Sequence, residues 1–574
     1  MISILFNELK KNLKKETTGF DVFNLAVLGN CSTQHLVTAI KGYAYTEQLA
    51  LTVFDADYNQ IEAQALNSAS ELYSFCPDAV LLYICTERLY EDFCSTDISQ
   101  REMFARDNFE YIKFCWAQIN SRIMTKIIQF SFVEVDDRVF GNYANKTNIS
   151  FLYQIKKLNY LLMEGCQENK NVYLVDLNHI NSIYGRKIVF DCNLYYIAKM
   201  PLTTNILPEV AKQVVDVIKA FKGLVKKCVI VDLDNTLWGG VIGDDGLNGI
   251  QIGELGLGHA FSELQKWLKE LKNRGIILAV CSKNNEITAK EPFTNHPDMI
   301  LQLQDIAIFV ANWDDKATNI MKIQQTLNIG MDSIVFIDDN PFERNLVRSL
   351  IPEITIPELP VDPALYLDYL KELNLFETAS FSDSDKDRAR QYQVEINRTA
   401  LLNQFGSYDD YLIGLDMVAT AKPFDAFQYP RIAQLSQRSN QFNLRTVRYI
   451  ESEIEKISQD DDYLTIYFTL TDKYGDYGLI SVVILKKQNH NTLFIETWLM
   501  SCRVLKRGME EFIVNKIIEI ARENGFDHVV GEYLKTPKNS MVAKIYEQMG
   551  FASVGDKFIA DLKTFKQNKT FIKE

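Results

Sequence analysis

The chain lacks the features that mark membrane and secreted proteins. It has no run of 18 apolar residues, which argues against a membrane-spanning helix. The apolar start before Glu8 is too short and too charged for a signal peptide. The ten cysteines include no Cys-x-x-Cys pair, which argues against zinc sites and a disulfide framework. We therefore expect a cytoplasmic protein.

Positive charge is also scarce. The formal net charge is −14 and no basic run stands out, so nucleic acid is not an expected partner. Hydrophobic residues make up 47% of the 574 residues, which is enough for several cores. A chain of this length and composition predicts three or four domains.

Polar residues directly follow a short apolar run in the middle of the chain. Residues 229–231 predict a buried parallel strand, and Asp232, Asp234 and Thr236 come directly after it. Open α/β sheets place their active sites at such carboxyl ends. Two carboxylates in one crevice repel each other unless a cation lies between them. Mg²⁺ with a phosphate ligand would meet that need.

Three later segments predict polar residues at the same edge of the sheet. Residues 277–284 predict a strand that leads into Ser282. Residues 310–316 end in Lys316, and residues 334–340 predict a strand followed by Asp338 and Asp339. The order along the chain is therefore aspartates, serine, lysine and aspartates.

This order resembles the four motifs of the haloacid dehalogenase (HAD) superfamily of phosphotransferases. The resemblance implies that Asp232 attacks phosphorus and becomes an aspartyl phosphate. Asp234 would protonate the leaving group and then activate water, and Thr236 would hold the loop. Ser282 and Lys316 would bind the phosphoryl oxygens and balance their charge.

The resemblance also implies a magnesium site. Asp338 and Asp339 would hold Mg²⁺ together with Asp232 and the main-chain carbonyl of Asp234. The alternative is a set of solvated loop carboxylates or a structural cation site. Four motifs in this order favour the catalytic interpretation.

Three stretches narrow the resemblance to one branch of the superfamily. Residues 237–246, 281–285 and 338–344 are similar to the FkbH-like proteins (HAD subfamily IIIC), over about residues 223–375. Members in polyketide pathways take a glyceryl unit from 1,3-bisphosphoglycerate, remove its phosphate and load glycerate as a thioester onto an acyl carrier protein. The resemblance therefore implies a phosphorylated three-carbon acid as substrate and an acyl carrier protein as partner.

Cys281 is a candidate for a thioester cysteine because it directly precedes Ser282. Nearby Lys316 and Mg²⁺ would lower the pKa of its thiol. The alternation of side chains along a strand supports the other interpretation, in which Cys281 points into the core opposite Ser282. The sequence leaves both interpretations open.

Residues 1–200 alternate five apolar segments with helical stretches, which predicts a doubly wound sheet. The layout resembles SGNH hydrolases, in which the turn after the first strand carries a nucleophilic serine. Here Cys31 takes the place of the serine, and Asn30 that of the usual aspartate. Asp176 and His179 match the Asp-x-x-His of that group only superficially. These departures favour a binding or docking module, with His179 in a structural role, over a hydrolase.

The C-terminal third contains three strand-like segments, residues 463–469, 478–486 and 492–499, followed by a turn and a helix over 509–524. This resembles the acyl-CoA site of GNAT acyltransferases, where N–H groups at the helix start hold pyrophosphate. The resemblance implies the cofactor-binding residues Arg503, Lys506, Arg507, Gly508, Asn539 and Tyr546. Because Lys506 replaces a glycine of the GNAT turn, a carrier-bound phosphopantetheine arm is as good a candidate as CoA. A purely structural domain is the alternative.

We therefore predict an α/β protein of three domains. These are an SGNH-like doubly wound sheet (1–200), a HAD Rossmann-like core (223–375) and a GNAT-like mixed α/β domain (416–574), joined by a linker helix (201–222) and a linker (376–415). Glyceryl loading is the first functional hypothesis, and a stand-alone small-metabolite or sugar phosphatase is the second. The third is a non-catalytic scaffold, against which the complete set of HAD residues argues.

Overall fold

The computed structural model describes residues 4–381, 407–489, 491–501, 504–536 and 538–574. The chain divides into two compact units, Met1–Lys219 and Ala220–Glu574. Arg503 and residues 382–406 of the predicted linker (376–415) lie outside the described residues. Among the helices of the described ranges, none is long and apolar enough to cross a membrane.

The first unit contains a five-stranded parallel sheet in the order β2-β1-β3-β4-β5. Its strands are β1 (Asp21–Gly29), β2 (Leu49–Asp55), β3 (Ala79–Tyr83), β4 (Lys126–Phe130) and β5 (Val172–Val175). β3 is buried along its whole length, as expected for a strand inside a parallel sheet. The predicted doubly wound sheet is present, and its order changes direction between β1 and β3.

The helices of this unit alternate with its strands. They are α1 (Phe6–Asn12), α2 (Gln34–Thr46), α3 (Ile61–Leu66), α4 (Glu71–Phe75), α5 (Thr86–Ser95), α6 (Phe104–Arg122), α7 (Phe151–Glu168), α8 (Leu177–Tyr184), α9 (Arg186–Val189), α10 (Cys192–Ala198) and α11 (Leu207–Phe221). Short 3₁₀ helices lie at Arg101–Met103 and Gly141–Lys146. α11 falls within the predicted linker helix and packs a buried apolar stripe.

The second unit begins with a four-stranded parallel sheet in the order β8-β7-β6-β9. Its strands are β6 (Cys228–Val231), β7 (Ile277–Ser282), β8 (Ile308–Ala311) and β9 (Ile334–Ile337). Successive residues of β6 belong to two different cores, one on each face of the sheet. This sheet therefore has helices packed on both faces, and its carboxyl edge is free to carry a site.

The helices around this sheet are α12 (Ile242–Asp245), α13 (Leu257–Asn273), α14 (Glu286–Asn295), α15 (Lys316–Leu327), α16 (Pro341–Leu350) and α17 (Tyr366–Glu372). Short 3₁₀ helices lie at Leu303–Asp305, Met331–Ser333 and Pro363–Leu365. The apolar stripe of α13 (Phe261, Leu264, Leu268 and Leu271) is buried, which matches the helical spacing in the sequence.

The rest of the second unit is built on a seven-stranded sheet in the order β10-β11-β12-β13-β14-β16-β15. Its strands are β10 (Val418–Lys422), β11 (Tyr463–Asp472), β12 (Gly475–Asn489), β13 (Thr492–Met500), β14 (His528–Glu532), β15 (Ala552–Val554) and β16 (Lys557–Asp561). All neighbours are antiparallel except β13 and β14. That parallel pair is joined by a helical crossover.

The described helices here are α18 (Tyr408–Gly414), α19 (Tyr429–Arg438), α20 (Glu451–Gln459), α21 (Met509–Glu523) and α22 (Ile545–Gln548), with a 3₁₀ helix at Ser540–Val542. α21 packs its apolar face on the sheet through Phe512, Ile513 and Ile517. The predicted α/β fold class is thus confirmed.

Candidate active site

The four polar motifs meet at the carboxyl edge of the four-stranded sheet. Asp232 directly follows β6, Ser282 ends β7, Lys316 begins α15 after β8, and Asp338 directly follows β9. Because the strands are parallel and adjacent, their carboxyl ends lie side by side. The fold therefore brings together the residues that the sequence separates by more than a hundred positions.

Lys316 joins the first and last motifs. Its Nζ lies 3.1 Å from Oδ2 of Asp232 and 2.6 Å from Oδ2 of Asp338. All three side chains are buried. Burial alone would lower the pKa of Lys316, but Asp232 and Asp338 raise it above its usual value. The lysine is therefore a fixed positive charge between two carboxylates.

One lysine does not balance the negative charge of this edge. Burial and then the charge of Asp232 raise the pKa of Asp338 to about 6. The same two causes raise the pKa of Asp339. Both shifts mean that the ionised carboxylates lack stabilising positive charge, which a cation would supply.

The carboxylates fit a magnesium ion. Asp232, Asp338 and Asp339 each offer an oxygen, and these oxygens lie within 4.8 Å of one another. Oδ1 of Asp232 is buried and accepts no hydrogen bond from the described residues. Carboxylate oxygens are the donors that Mg²⁺ prefers, so this cluster is suited to the ion. The free Oδ1 of Asp232 is available to the ion or to a phosphate group bound beside it. The side chain of Asp234 is not in this cluster. The resemblance assigns only its main-chain carbonyl to the metal, and that assignment stays a prediction.

The carboxylate of Asp234 is instead held by three donors. Trp238 Nε1 donates to Oδ1 at 2.9 Å, and the N–H of Ile242 donates to the same oxygen at 3.0 Å. Asn284 Nδ2 donates to Oδ2 at 2.7 Å. Burial raises the pKa of Asp234, and these bonds oppose the rise. Trp238 and Asn284 therefore fix the orientation of the expected proton donor.

The sequence indicated no role for Trp238 or Asn284, although both lie in the stretches that resemble FkbH-like proteins, residues 237–246 and 281–285. It also gave none to Arg344, which is buried and donates through Nη1 to the carbonyls of Asp338 (2.8 Å) and Asp339 (2.6 Å). Only the folded loops bring these donors to their acceptors. Arg344 therefore fixes the loop that carries two of the clustered carboxylates.

Thr236 holds the loop, as expected for it. Its Oγ1 donates to Oδ1 of Asp339 at 3.2 Å and accepts the N–H of Asp339 at 3.1 Å. The preceding Asn235 has a left-handed backbone (φ 56°), and its Oδ1 accepts the N–H of Gly240 at 3.0 Å. The loop after β6 is thus tied both to itself and to the loop after β9.

Ser282 and Cys281 lie on opposite faces at the end of β7. Cys281 is fully buried in the core that includes Ile277, Ala279 and Ala317, and its Sγ lies 3.8 Å from the carbonyl oxygen of Lys316. Burial raises the pKa of its thiol to about 12, which outweighs the lowering by Lys316. The expectation of a lowered thiol pKa is therefore corrected, and the core interpretation of Cys281 is the one that fits.

The SGNH-like candidates of the first unit do not form a catalytic pair. Oδ1 of Asp176 caps α8 by accepting the N–H of His179 at 3.1 Å, and it also accepts Oγ of Ser131 at 2.7 Å. His179 itself is exposed, so its structural role is not that of a buried histidine. Cys31 is buried, and burial raises its thiol pKa. This geometry argues against a hydrolase site at these residues, and the docking-module interpretation stays a prediction.

The candidate cofactor residues of the C-terminal sheet are largely engaged by the chain itself. Arg507 is buried, with its guanidinium 5.0 Å from the centre of the Tyr477 ring. The N–H of Lys506 donates to Oε1 of Glu510 at 3.0 Å, and the carbonyl of Gly508 accepts Thr570 Oγ1 at 3.0 Å. Among residues 504–508, which the structure describes, the side chain of Lys506 is the exposed one.

Asn539 and Tyr546 are also held by contacts with other residues of the chain. The Asn539 amide donates to the carbonyls of Asn443 (3.0 Å) and Leu534 (2.9 Å), and its Oδ1 accepts the N–H of Thr536 at 2.8 Å. Tyr546 is buried and stacks on Phe558, with ring centres 5.2 Å apart. These residues are therefore engaged by contacts within the chain, and the assignment of a cofactor to them and to Lys506, Arg507 and Gly508 stays a prediction.

Comparison with known proteins covers both units. The family model described as the FkbH N-terminal domain matches residues 24–219. A crystal structure of the N-terminal part of the protein BF1531 from Bacteroides fragilis, described as containing a phosphatase domain and complexed with Mg, is 46% identical. The similarity covers 66% of this chain and 100% of that chain, with a TM-score of 0.63. A search of curated proteins gave no match.

Two N-acetyltransferase structures are similar to about a quarter of the chain. The ribosomal-protein-S18-alanine N-acetyltransferase from Escherichia coli is 15% identical, over 25% of this chain and 91% of its own, with a TM-score of 0.20. The spermidine N-acetyltransferase from Vibrio cholerae, in complex with CoA and spermine, is 13% identical over 25% and 96%, with a TM-score of 0.21. These scores are too low to carry a structural argument.

Proposed function

This chain belongs to the FkbH-like family of HAD-superfamily phosphatases, and we propose that it removes phosphate from a phosphorylated three-carbon acid of the 1,3-bisphosphoglycerate type. The observation that carries this proposal is the state of Asp232. Its Oδ2 is fixed by Lys316 at 3.1 Å, while its buried Oδ1 accepts no hydrogen bond from the described residues. An oriented carboxylate with one free oxygen is what an attack on phosphorus requires.

The reaction proceeds in two displacements. Oδ1 of Asp232 attacks phosphorus, the bond to the leaving oxygen breaks, and Asp234 gives that oxygen a proton. Asp234 then takes a proton from a water molecule, whose oxygen attacks the aspartyl phosphate and releases phosphate with Asp232 restored. Mg²⁺ held by Asp232, Asp338 and Asp339 would offset the negative charge of the phosphoryl oxygens.

Charge and position support the roles of the neighbouring residues. Lys316 is the one buried cation in contact with Asp232 among the described residues, and it lies within reach of oxygens on the attacked phosphorus. Ser282 lies at the end of the adjacent strand β7. We assign both to the phosphoryl oxygens, where hydrogen-bond donors stabilise developing charge.

The finer proposal is that the glyceryl unit is loaded onto an acyl carrier protein. The carrier thiol would attack the acyl carbon of the acyl phosphate, form a carbon–sulfur bond and release phosphate. The remaining phosphate ester would be hydrolysed at Asp232. We assign no enzyme thioester to Cys281, because its thiol is fully buried and its pKa is raised.

A stand-alone phosphatase acting on a small metabolite or sugar phosphate is the second candidate. The cysteines of the second unit that the structure describes, Cys228 and Cys281, are both buried. The described part of this unit therefore offers no exposed thiol for an acyl-enzyme intermediate, so carrier loading would need the direct attack by the carrier thiol, whereas hydrolysis alone needs no thiol. A non-catalytic scaffold is opposed by the complete set of Asp232, Asp234 and Lys316.

Intact-mass analysis of candidate carrier proteins tests the finer proposal. Carrier, enzyme, Mg²⁺ and 1,3-bisphosphoglycerate are incubated together while released phosphate is measured. A glyceryl adduct on the carrier supports loading, whereas phosphate release with an unchanged carrier supports the stand-alone phosphatase.

Asp232→Asn is the test of the phosphatase mechanism itself. It keeps the shape of the side chain but removes the attacking charge and weakens the metal cluster. We expect phosphate release to fall by several orders of magnitude with the fold intact. Near-normal release by a folded Asp232→Asn protein would disprove the nucleophile assignment.

A further inference from the structure

The parallel strands β13 and β14 pair only at their beginnings. Thr492, Leu493 and Phe494 of β13 are opposite residues 528–530 of β14, and no later residue of β13 pairs with β14. Parallel strands that separate in this way leave main-chain donors and acceptors on their facing edges, and such groups need partners. The turn at 504–508 follows β13 and Asn539 follows β14, so the candidate cofactor residues come after the ends of these two strands.

The chain fills this gap with a segment of its own, residues 440–446, which we call the bridging segment. The N–H of Leu444 donates to the carbonyl of Trp498 at 3.2 Å, and the N–H of Met500 donates to the carbonyl of Phe442 at 3.0 Å. On its other side, the carbonyl of Leu444 accepts the N–H of Leu534 at 2.9 Å. The bridging segment therefore takes the place of an additional strand between β13 and the residues after β14.

Side chains fix the bridging segment from both strands. Nε of Arg445 lies 2.8 Å from Oε2 of Glu532 at the end of β14, and its Nη1 lies 2.7 Å from Oε1 of Glu496 on β13. Phe442 and Leu444 are buried in the core of the seven-stranded sheet. Both ionic contacts and the apolar contacts would be lost if the bridging segment left the gap.

Backbone strain indicates that the bridging segment is tightly held. Thr446 has a left-handed conformation (φ 58°), which costs a β-branched residue roughly 1–2 kcal/mol. Its N–H donates to Oδ1 of Asn443 at 2.8 Å. A residue keeps such a conformation only when the surrounding contacts determine it.

The turn before α21 is likewise unsuited to a phosphate. Helix N-termini bind phosphate through free N–H groups and the positive end of the helix dipole. Here the N–H of Lys506 is bonded to the carboxylate of Glu510, and the first turn carries both Glu510 and Glu511. The chain's own carboxylate already occupies a donor of this turn, and a second one repels an anion.

We propose that the gap between β13 and β14 is a permanent structural joint, closed by the bridging segment, and that this sheet takes neither CoA nor a phosphopantetheine arm. The bridging segment also contacts the connection between α11 and β6, because Asn440 Nδ2 donates to the carbonyl of Gly223 at 3.1 Å. Asn440 thus links the bridging segment to the segment of chain that leads into the four-stranded sheet. This inference does not depend on the phosphatase activity.

Amide hydrogen exchange on the full-length protein tests the closure. The amides of Leu444, Met500 and Leu534 should exchange at least about 100-fold more slowly than exposed loop amides, as expected for core strands. The same amides should show no change when CoA or acetyl-CoA is added at up to about 1 mM, and calorimetry should detect no binding. Rapid exchange at Leu444, or its protection by CoA, would overturn the proposal.

Arg445→Ala provides a second test, with Lys569→Ala at an exposed position as the matched control. Loss of the two ion pairs should accelerate exchange at Leu444 in Arg445→Ala only, while CoA still fails to bind. CoA binding that appears on loosening the bridging segment would reveal a latent acyl-donor site and would contradict the proposal. If Arg445→Ala does not fold, the exchange and calorimetric results on the unaltered protein still decide the question.

Discussion

Removing the charge of Asp338 should stabilise the metal-free protein. The pKa of this buried carboxyl is raised from 3.8 to about 6, with burial as the largest cause and the charge of Asp232 next. Because the folded state holds the proton more tightly than the unfolded state, stability falls as pH rises from about 4 to about 6. A shift of about two units corresponds to a loss of roughly 3 kcal/mol above that range.

Asp338→Asn is neutral at every pH and keeps an oxygen for the N–H of Asn340, which now donates to Oδ1 of Asp338 at 2.8 Å. In EDTA at about pH 7.5, we expect the variant to be more stable than the unaltered protein by up to about 3 kcal/mol. The difference should disappear as the pH falls to about 4. In Mg²⁺ the order should reverse, because only the unaltered protein keeps all three carboxylates for the ion.

The assay is urea unfolding, monitored by tryptophan fluorescence. Because four of the five tryptophans lie in the second unit and only Trp116 lies in the first, the signal mainly reports the unit that contains Asp338. Asp314→Asn is the matched control. That side chain is 59% exposed beside the site, so its substitution should change stability by less than about 0.5 kcal/mol. If Asp338→Asn is less stable than the unaltered protein in EDTA at about pH 7.5, the charge argument is refuted. The loss of the ion pair with Lys316 would then outweigh the removal of the buried charge.

Three further predictions concern the surroundings of the site. Asn284→Ala should lower kcat by about 10-fold or more for alkyl phosphates and much less for p-nitrophenyl phosphate. The reason is that p-nitrophenolate is a good leaving group and needs little proton donation from Asp234. The control Asn285→Ala should not show this difference between substrates. Cys281→Ala should keep phosphate release, and any carrier loading, within a few-fold in separate assays. Asn440→Ala should lower the free energy of unfolding by about 1–2 kcal/mol while KM stays unchanged.

The phosphatase site was predictable because its geometry is encoded locally. Each polar motif follows an apolar run, and adjacent parallel strands bring their carboxyl ends together whatever the loops do. The side-chain donors to Asp234 were not predictable, because Trp238 and Asn284 reach it only through the folded path of two loops. The direction of the Cys281 side chain follows from the alternation of side chains along β7. The sequence did not show whether Cys281 points into the core or towards the site.

The contacts of the C-terminal residues were not predictable from the sequence, for a different reason. Strand, turn and helix are present near the expected positions, but local pattern does not encode which edge a short segment will pair with. Residues 442–444 alternate apolar and polar side chains but are too few to predict a strand, and only the tertiary structure places them beside β13. In the same way, nothing in the sequence near 506 indicates that Glu510 folds back onto the N–H of Lys506.

A contact with the C-terminal part of the second unit and the phosphatase site lie at opposite ends of β6. Lys227, whose Nζ donates to the carbonyl of Arg438 at 3.3 Å, directly precedes β6, and Asp232 directly follows it. Five residue steps of about 3.3 Å separate the two by roughly 16 Å. Lys538 also pairs with Asp332, just before β9. Arg438 at the end of α19 and Lys538 after β14 therefore contact the amino ends of β6 and β9, at the edge opposite Asp232 and Asp338.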